Sequence, residues 1–265
     1  MVNNMKQTTT RDKNVFYPPF NAFILHIIAM LLMLCDHLWG TFCMHIEPLA
    51  NIGRIAFPIF AFMLAEGFEK SRDHKKYILR ILLAALISEI PFNLIMGRSA
   101  TYLTHQNVLF TFTLALCLMC IYERIKRFKR FSLKLLAYAG ITIAFYIAGF
   151  LIFADYYGYG ILIVALFYFT KWNSSTPLHR KIISAVIQFA VLLYICCEMI
   201  QGIVIPLTIF GATFEIHRQS FAILSLPIIW LYNGRQGPYN KAIRILYYSF
   251  YPVHLLILGL LITLT

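Results

Sequence analysis

The sequence is short of charge. Only 13% of its 265 residues are Asp, Glu, Lys or Arg, where a soluble domain carries about 25%. Acid is the scarcer sign, with 11 Asp and Glu against 23 Lys and Arg. Amphipathic stripes are missing too: the long apolar runs are apolar all round, which excludes a large soluble helical core. There is no P-loop, no GxSxG and no nucleic-acid-binding motif. His37 and His45 stand too far apart for one helical turn, no other spacing suits a metal, and none is expected. A cleavable signal peptide is not expected either: the chain is polar up to Lys13, and the run that follows is too long for such a signal. Six cysteines, Cys35, Cys43, Cys117, Cys120, Cys196 and Cys197, all fall in apolar runs and read as small packing residues.

What is present is hydrocarbon. The composition is 60% hydrophobic, the mean hydropathy is +0.72, and many runs reach the roughly 20 residues that a membrane crossing needs. The expected fold is all-α: a polytopic transmembrane helical bundle over residues 21–265, preceded by a basic cytoplasmic tail over 1–20. Apolar runs fall at 21–45, 53–69, 77–97, 105–122, 132–153, 157–170, 182–199, 200–214, 219–233 and 243–264. Basic clusters occupy alternate breaks between them. With the N-terminus inside, every Lys and Arg except Arg54, Arg98 and Arg218 lies on a cytoplasmic side. This placing of charge, cluster by cluster between spans, accounts for the formal net charge of +12 without nucleic acid as a partner. Parity then requires residues 200–214 to begin and end outside. With Gly202, Pro206 and Gly211, that stretch reads as re-entrant or broken, giving about nine spans plus this segment.

Against this background a few polar residues stand out. Asp36 and His37 lie side by side in the first run, about 12 Å below its outer end at 1.5 Å per residue. Ionisable groups in a span normally face a bundle interior and have a task there, and a carboxylate beside an imidazole is a simple proton-transfer pair. Arg54 opens the second run, in which Pro58 can introduce a kink. Glu66 lies near that run's inner end, Glu89 in the outer half of the third, Asn107 at the start of the fourth, Asp155 in the turn after the fifth, and His254 midway along the last. Together Asp36, His37, Arg54, Glu89, Asn107, Asp155 and His254 predict an outward-facing polar cavity.

Seven pieces carry a resemblance to a known family: MLCDHLWG (33–40), IGRIAFPIFAFMLAEGF (52–68), KKYILRILLAALISEIPFNL (75–94), QNVLFTF (106–112), ADYYGYG (154–160), QSFAILSLPIIWLYNGRQG (219–237) and YYSFYPVHLLIL (247–258). In this order they resemble the TraX family of integral membrane proteins, whose archetype is linked to N-terminal acetylation of conjugative pilin. Asn93 departs from the pattern, standing where many relatives are expected to carry an acid. The resemblance implies a multi-pass acyltransferase of the bacterial cytoplasmic (inner) membrane. It would transfer acetyl from cytoplasmic acetyl-CoA to an amine or hydroxyl of an extracytoplasmic acceptor, a pilin-like protein or a surface glycan.

In that reading His37 is the general base and Asp36 or Glu89 orients it; Asp36 could instead pair with Arg54, leaving His37 to Glu89. Arg54 or Asn107 would stabilise the oxyanion. His254 is a second base or acyl-handling group, and the Asn233-Gly234-Arg235 turn would hold CoA phosphates. The alternatives are a proton-coupled transporter, with the buried acids and His254 as a relay, and a non-catalytic surface-assembly scaffold.

Overall fold

A computed structural model describes residues 18–102, 104–172, 176–200 and 202–264. Most of the expected 1–20 tail therefore lies outside the described residues. Among those described, seven helical stretches are long and apolar enough to cross a membrane: 22–41, 47–70, 74–97, 108–125, 131–151, 178–199 and 241–264. Two further passages are short: Tyr157–Phe169, of 13 residues, and Arg218–Trp230, a 3₁₀ stretch running into a single short helix. The nine expected crossings thus correspond to seven long helical stretches and two short ones. The protein is a multi-pass membrane protein.

Local chemistry sets the helix ends. Helix α1 (Ala22–Thr41) starts where Asn21 accepts from the Ile24 N–H at 3.0 Å, taking up one of the N–H groups that a first helical turn leaves unpaired. The second apolar run is two helices, α2 (Glu47–Gly53) and α3 (Ala56–Lys70), separated at Arg54-Ile55. The run breaks one turn ahead of Pro58, at the residue whose carbonyl a proline at 58 cannot bond. Pro58 itself sits in the first turn of α3, where its missing N–H has no partner to lose. Asp73 caps α4 (His74–Gly97) by accepting from Lys76 N at 3.0 Å, and Asn107 caps α5 (Val108–Ile125) by accepting from Leu109 N at 3.1 Å.

Helices α6 (Phe131–Leu151), α7 (Tyr157–Phe169), α8 (Leu178–Tyr194), α9 (Ser225–Trp230) and α10 (Lys241–Leu264) complete the bundle, and a π turn, Ile195–Met199, extends α8. Helices α3, α5 and α7 form the centre, with Ile59, Leu116 and Ile161 fully buried. Helices α6 and α8 are peripheral. Their exposed Leu133, Leu135, Leu136, Ile182, Ile183 and Val186 form the apolar face that a helix presents to lipid. The lipid bilayer is accordingly one partner of this chain.

Residues 200–214 are not a re-entrant segment. Strands β1 (Val204–Ile209) and β2 (Ala212–His217) pair antiparallel around Phe210 and Gly211, whose φ values of 49° and 83° suit a type I′ turn. The stretch alternates rather than running apolar throughout, and period two is the signature of a strand. An open two-stranded ribbon leaves backbone groups unpaired along both edges, so it sits outside the hydrocarbon. It lies at the end of the bundle opposite the basic clusters.

Candidate functional site

Five helices, α1, α3, α4, α5 and α10, enclose an elongated cavity of about 300 Å³. At the end carrying the basic clusters it is lined by Ala22, His26, Gln236 and Tyr239; at the other it reaches Asp36, His37, Asp155 and Tyr156. From Ala22 to His37 along α1 is about 22 Å at 1.5 Å per residue. Between these ends the walls are apolar, from Met30, Met33, Phe60, Met63, Leu109 and Phe112. Both carboxylates of the lining, Asp36 and Asp155, therefore gather with His37 at one terminus of a shaft whose middle is mostly apolar.

His37 does not pair with Asp36 or Glu89. Its Nδ1 lies 2.7 Å from Nε2 of His254, and the two rings stack at 5.0 Å between centroids. The far side of the pair fixes the tautomers. Nδ1 of His254 is 2.6 Å from the carbonyl oxygen of Phe250. A carbonyl only accepts, so this Nδ1 carries a proton, and in the neutral ring Nε2 is then an acceptor. It must receive the proton of His37 Nδ1, which leaves the lone pair of His37 on Nε2. One turn further on, the Thr41 hydroxyl donates to the carbonyl of His37 at 2.7 Å.

Asp36 takes the other expected course and pairs with the Arg54 guanidinium through Nη2. Adjacent helix positions diverge by about 100°, so one side chain meets α10 and the other meets the α2–α3 break. That break brings α2 unusually close. A Cβ at Gly53 would lie 2.5 Å from Asp36 Cβ and 2.8 Å from Asp36 Cα. The Nε of Arg54 is buried and has no partner among the described residues. Asp36, His37 and Asp155 line the cavity, while Arg54 and His254 stand behind them.

Glu89 and Asn107 form a separate unit. The Asn107 amide donates to Glu89 Oε2 at 2.5 Å and to the Ala85 carbonyl at 2.9 Å, and its oxygen caps α5. Both amide hydrogens are engaged, so Asn107 has none left for an oxyanion. Nor does Glu89 reach His37. We expect Asn107→Ala to lower stability by about 0.5–2 kcal/mol, the range for a lost N-cap, with activity per folded molecule preserved. Thermal unfolding and specific activity measured on the same detergent sample check both parts. Glu66 lies at the basic end, accepting from Lys70 at 2.7 Å and from the Tyr232 hydroxyl at 3.1 Å, remote from the histidine pair.

The Asn233-Gly234-Arg235 turn lies against the start of α1. Asn233 N donates to the Phe20 carbonyl at 2.7 Å, and Ala22 N donates to the Arg235 carbonyl at 2.8 Å. Gly234 has φ 78°, and its carbonyl accepts from Lys70 Nζ at 2.8 Å. The neighbouring Gln236 and Ala22 line the cavity, so the turn borders its basic-end mouth.

Sequence reasoning placed Asp155 in the cavity but missed Gly53, Tyr156 and the Phe250 carbonyl. Tyr156, at φ 59°, stacks on Phe57 with centroids 3.9 Å apart and closes the shaft beside Asp155. Asp155 is tied from outside by His105, whose Nε2 lies 3.4 Å from its Oδ1. This partner raises the His105 pKa above its ordinary value, more than burial lowers it. Holding the proton in the folded state stabilises the fold. That contribution is full below the unfolded histidine value, about 6.5, and disappears as pH rises through the higher folded value. Detergent-solubilised protein should therefore lose thermal stability as pH rises through that window, and His105→Phe should flatten the slope.

Comparison with known proteins then fixes the family. The model of the TraX protein family matches residues 22–262. The chain belongs to the TraX family. A similar protein is the probable fimbrial assembly protein FimC, serogroup H1, of Dichelobacter nodosus, which is 29% identical over 253 residues, covering 90% of this chain and 94% of its own. No solved structure matches. The TraX match takes in both histidines of the pair and every span but the last two residues of α10, so the shaft and its polar terminus lie wholly within the family region.

Proposed function

We propose that this protein is an integral-membrane acyltransferase that takes an acyl group, acetyl in the simplest case, from acyl-CoA at the basic end. It passes the group to an amine or hydroxyl of an acceptor on the opposite side. One observation carries the reading: the cavity runs from the basic-end mouth to His37, whose Nε2 holds a lone pair because the Phe250 carbonyl sets the tautomer of His254. The basic end would be cytoplasmic, as the charge asymmetry implies, with the protein in the inner membrane and its N-terminus inside. The fimbrial assembly name of the relative suits an acceptor that is a pilus-type or other surface component.

In this reading the Asn233-Gly234-Arg235 turn and the Lys70 side chain beside it meet the CoA end, and the apolar walls hold the extended arm of the donor. His37 Nε2 takes the proton of the acceptor as its nitrogen or oxygen attacks the thioester carbonyl carbon. The negative charge that develops on the carbonyl oxygen is stabilised by the Arg54 guanidinium behind Asp36. Collapse of the tetrahedral intermediate breaks the carbon–sulfur bond, and the imidazolium returns its proton to the departing thiolate. His254 does not touch the substrate. It positions His37 and holds it in the tautomer that leaves Nε2 unprotonated.

The test is transfer or hydrolysis of labelled acetyl-CoA by purified protein in detergent, with His37→Gln as control. Turnover by wild type and none by the variant is the expected result. The hydrogen-bonded histidine pair would also serve a proton-coupled transporter. A protein that ignores acetyl-CoA and moves protons with solute in sealed vesicles would overturn the acyltransferase in favour of that reading.

A further inference from the structure

We infer that the β1–β2 hairpin is an interfacial anchor that lies on the lipid surface at the end opposite the basic clusters, apolar face down. Four observations carry this, and none depends on the proposed chemistry. The first is amphipathic alternation. From 205 to 209 and from 212 to 216 every second residue is apolar: Ile205, Leu207, Ile209, then Ala212, Phe214, Ile216. The register pairs Ile205 with Ile216 and Pro206 with Glu215, which sorts the ribbon into an apolar face and a mostly polar face of Val204, Pro206, Thr208, Thr213, Glu215 and His217. The hydroxyls of Thr208 and Thr213, 3.1 Å apart, meet on that second face. Strand periodicity with one face apolar requires something to cover that face.

The second observation is that the bundle leaves the tip of the ribbon uncovered. Phe214 is 54% exposed, and Phe210, at the tip, is wholly exposed. Isolated two-stranded ribbons are marginal in water, so a free hairpin of this composition would be poorly stable without a partner.

Third, both ends of the hairpin are rooted at the membrane boundary. It follows directly on the span that ends at 199, and its other end is fixed at Arg218. That side chain pairs with Glu47 and lies over the ring of Trp39 at 4.6 Å. The strands cannot leave the rim of the bundle. Exposed Phe42, Met44 and Ile46 at the turn between α1 and α2 share that rim, as expected of a headgroup-level belt.

The fourth observation argues against an added strand as the occupant. With Phe210 and Gly211 closing the turn, Ile209 and Ala212 form a hydrogen-bonded pair, and alternation makes Pro206 and Glu215 a non-hydrogen-bonded one. The missing N–H of Pro206 therefore falls at the middle of the outer edge of β1. Proline there is a common device against edge-to-edge pairing. A ribbon with open edges is excluded from the hydrocarbon itself but not from the headgroup boundary, where apolar side chains dip and the backbone stays wet.

The experiment uses the full-length protein in vesicles of phosphatidylethanolamine and phosphatidylglycerol, with and without bromine on the acyl chains. Phe210→Trp and Phe214→Trp are each compared with Thr213→Trp, and the wild-type emission is subtracted to remove Trp39, Trp172 and Trp230. The expected result is blue-shifted added emission from the two phenylalanine sites, quenched by bromolipid and protected several-fold from aqueous iodide. Thr213→Trp should behave in the opposite way. Water-like emission with full iodide quenching at 210 and 214 would overturn the assignment. Protection from both quenchers would also overturn it, by showing that protein, a second copy or another partner, covers the face.

Discussion

His37→Ala is expected to give a folded, membrane-inserted protein whose acyl-transfer turnover has fallen by about 10²–10⁴-fold, the range typical of a general base. The geometry gives this substitution a specific signature. The His37 side chain makes one hydrogen bond, to His254, beside its ring contacts with His254 and Tyr251, and such bonds inside membrane proteins are worth only about 0.6 kcal/mol on average. A structural histidine would therefore lose a little stability and keep its activity. A catalytic one would do the reverse. His37→Gln sharpens the contrast, because its amide can still donate toward His254 but offers no basic nitrogen to the cavity. Turnover in labelled acetyl-CoA, set beside thermal unfolding of the same samples, separates the cases. Near-wild-type turnover by His37→Gln would end the mechanism. His254→Phe should show an intermediate loss, since the base remains but the tautomer is no longer imposed.

Gly53→Ala is expected to damage the site without replacing any titratable group. The added methyl would lie 2.5 Å from Asp36 Cβ and 2.8 Å from Asp36 Cα, closer than real atoms approach, and the second of these is helix backbone that no rotamer change can move aside. Either α1 shifts outward at Asp36 and His37 or α2 shifts away and carries Arg54 with it. Overpacking of this kind costs about 1–3 kcal/mol. Displacement of a catalytic group by about 1 Å can lower turnover by about 10²-fold. The expected outcome is a modest drop in unfolding temperature with a disproportionate fall in turnover, read in the same two assays. Gly40→Ala is the control, because a Cβ there meets nothing within 4 Å. Equal activities for the two variants would show that the close approach of α2 to α1 has no bearing on the site.

The sequence determined by itself the properties that depend on composition and order. Hydrocarbon content and length marked the long spans, because a crossing helix needs a run of apolar residues that nothing else in the chain resembles. Asp36, His37 and His254 were legible as outliers because an ionisable group in lipid needs a reason to be there. Asn107 was legible at the start of the fourth run, where it caps α5, because a cap acts over two or three residues. What the sequence left open were relations between distant positions. Asp36 or Glu89 was the expected partner of His37; that it meets His254 instead depended on which face of α1 met α10, and two neighbouring residues 100° apart on a helix offer no way to choose. Asn107 and Arg54 were equal candidates for the oxyanion in sequence; that both amide hydrogens of Asn107 are engaged, while Arg54 Nε has no partner among the described residues, is a matter of packing. Gly53 carried no signal, since its role is an absence of atoms where α2 crosses α1. The hairpin was read as a broken span because Gly202, Pro206 and Gly211 interrupt an apolar stretch in either case; only the cross-strand register showed that its alternation was that of a ribbon. The shaft is the fullest instance. Its 26 lining residues come from separate parts of the chain, and a cavity is a property of how helices meet, so tertiary structure alone could decide that the basic end and His37 share one space.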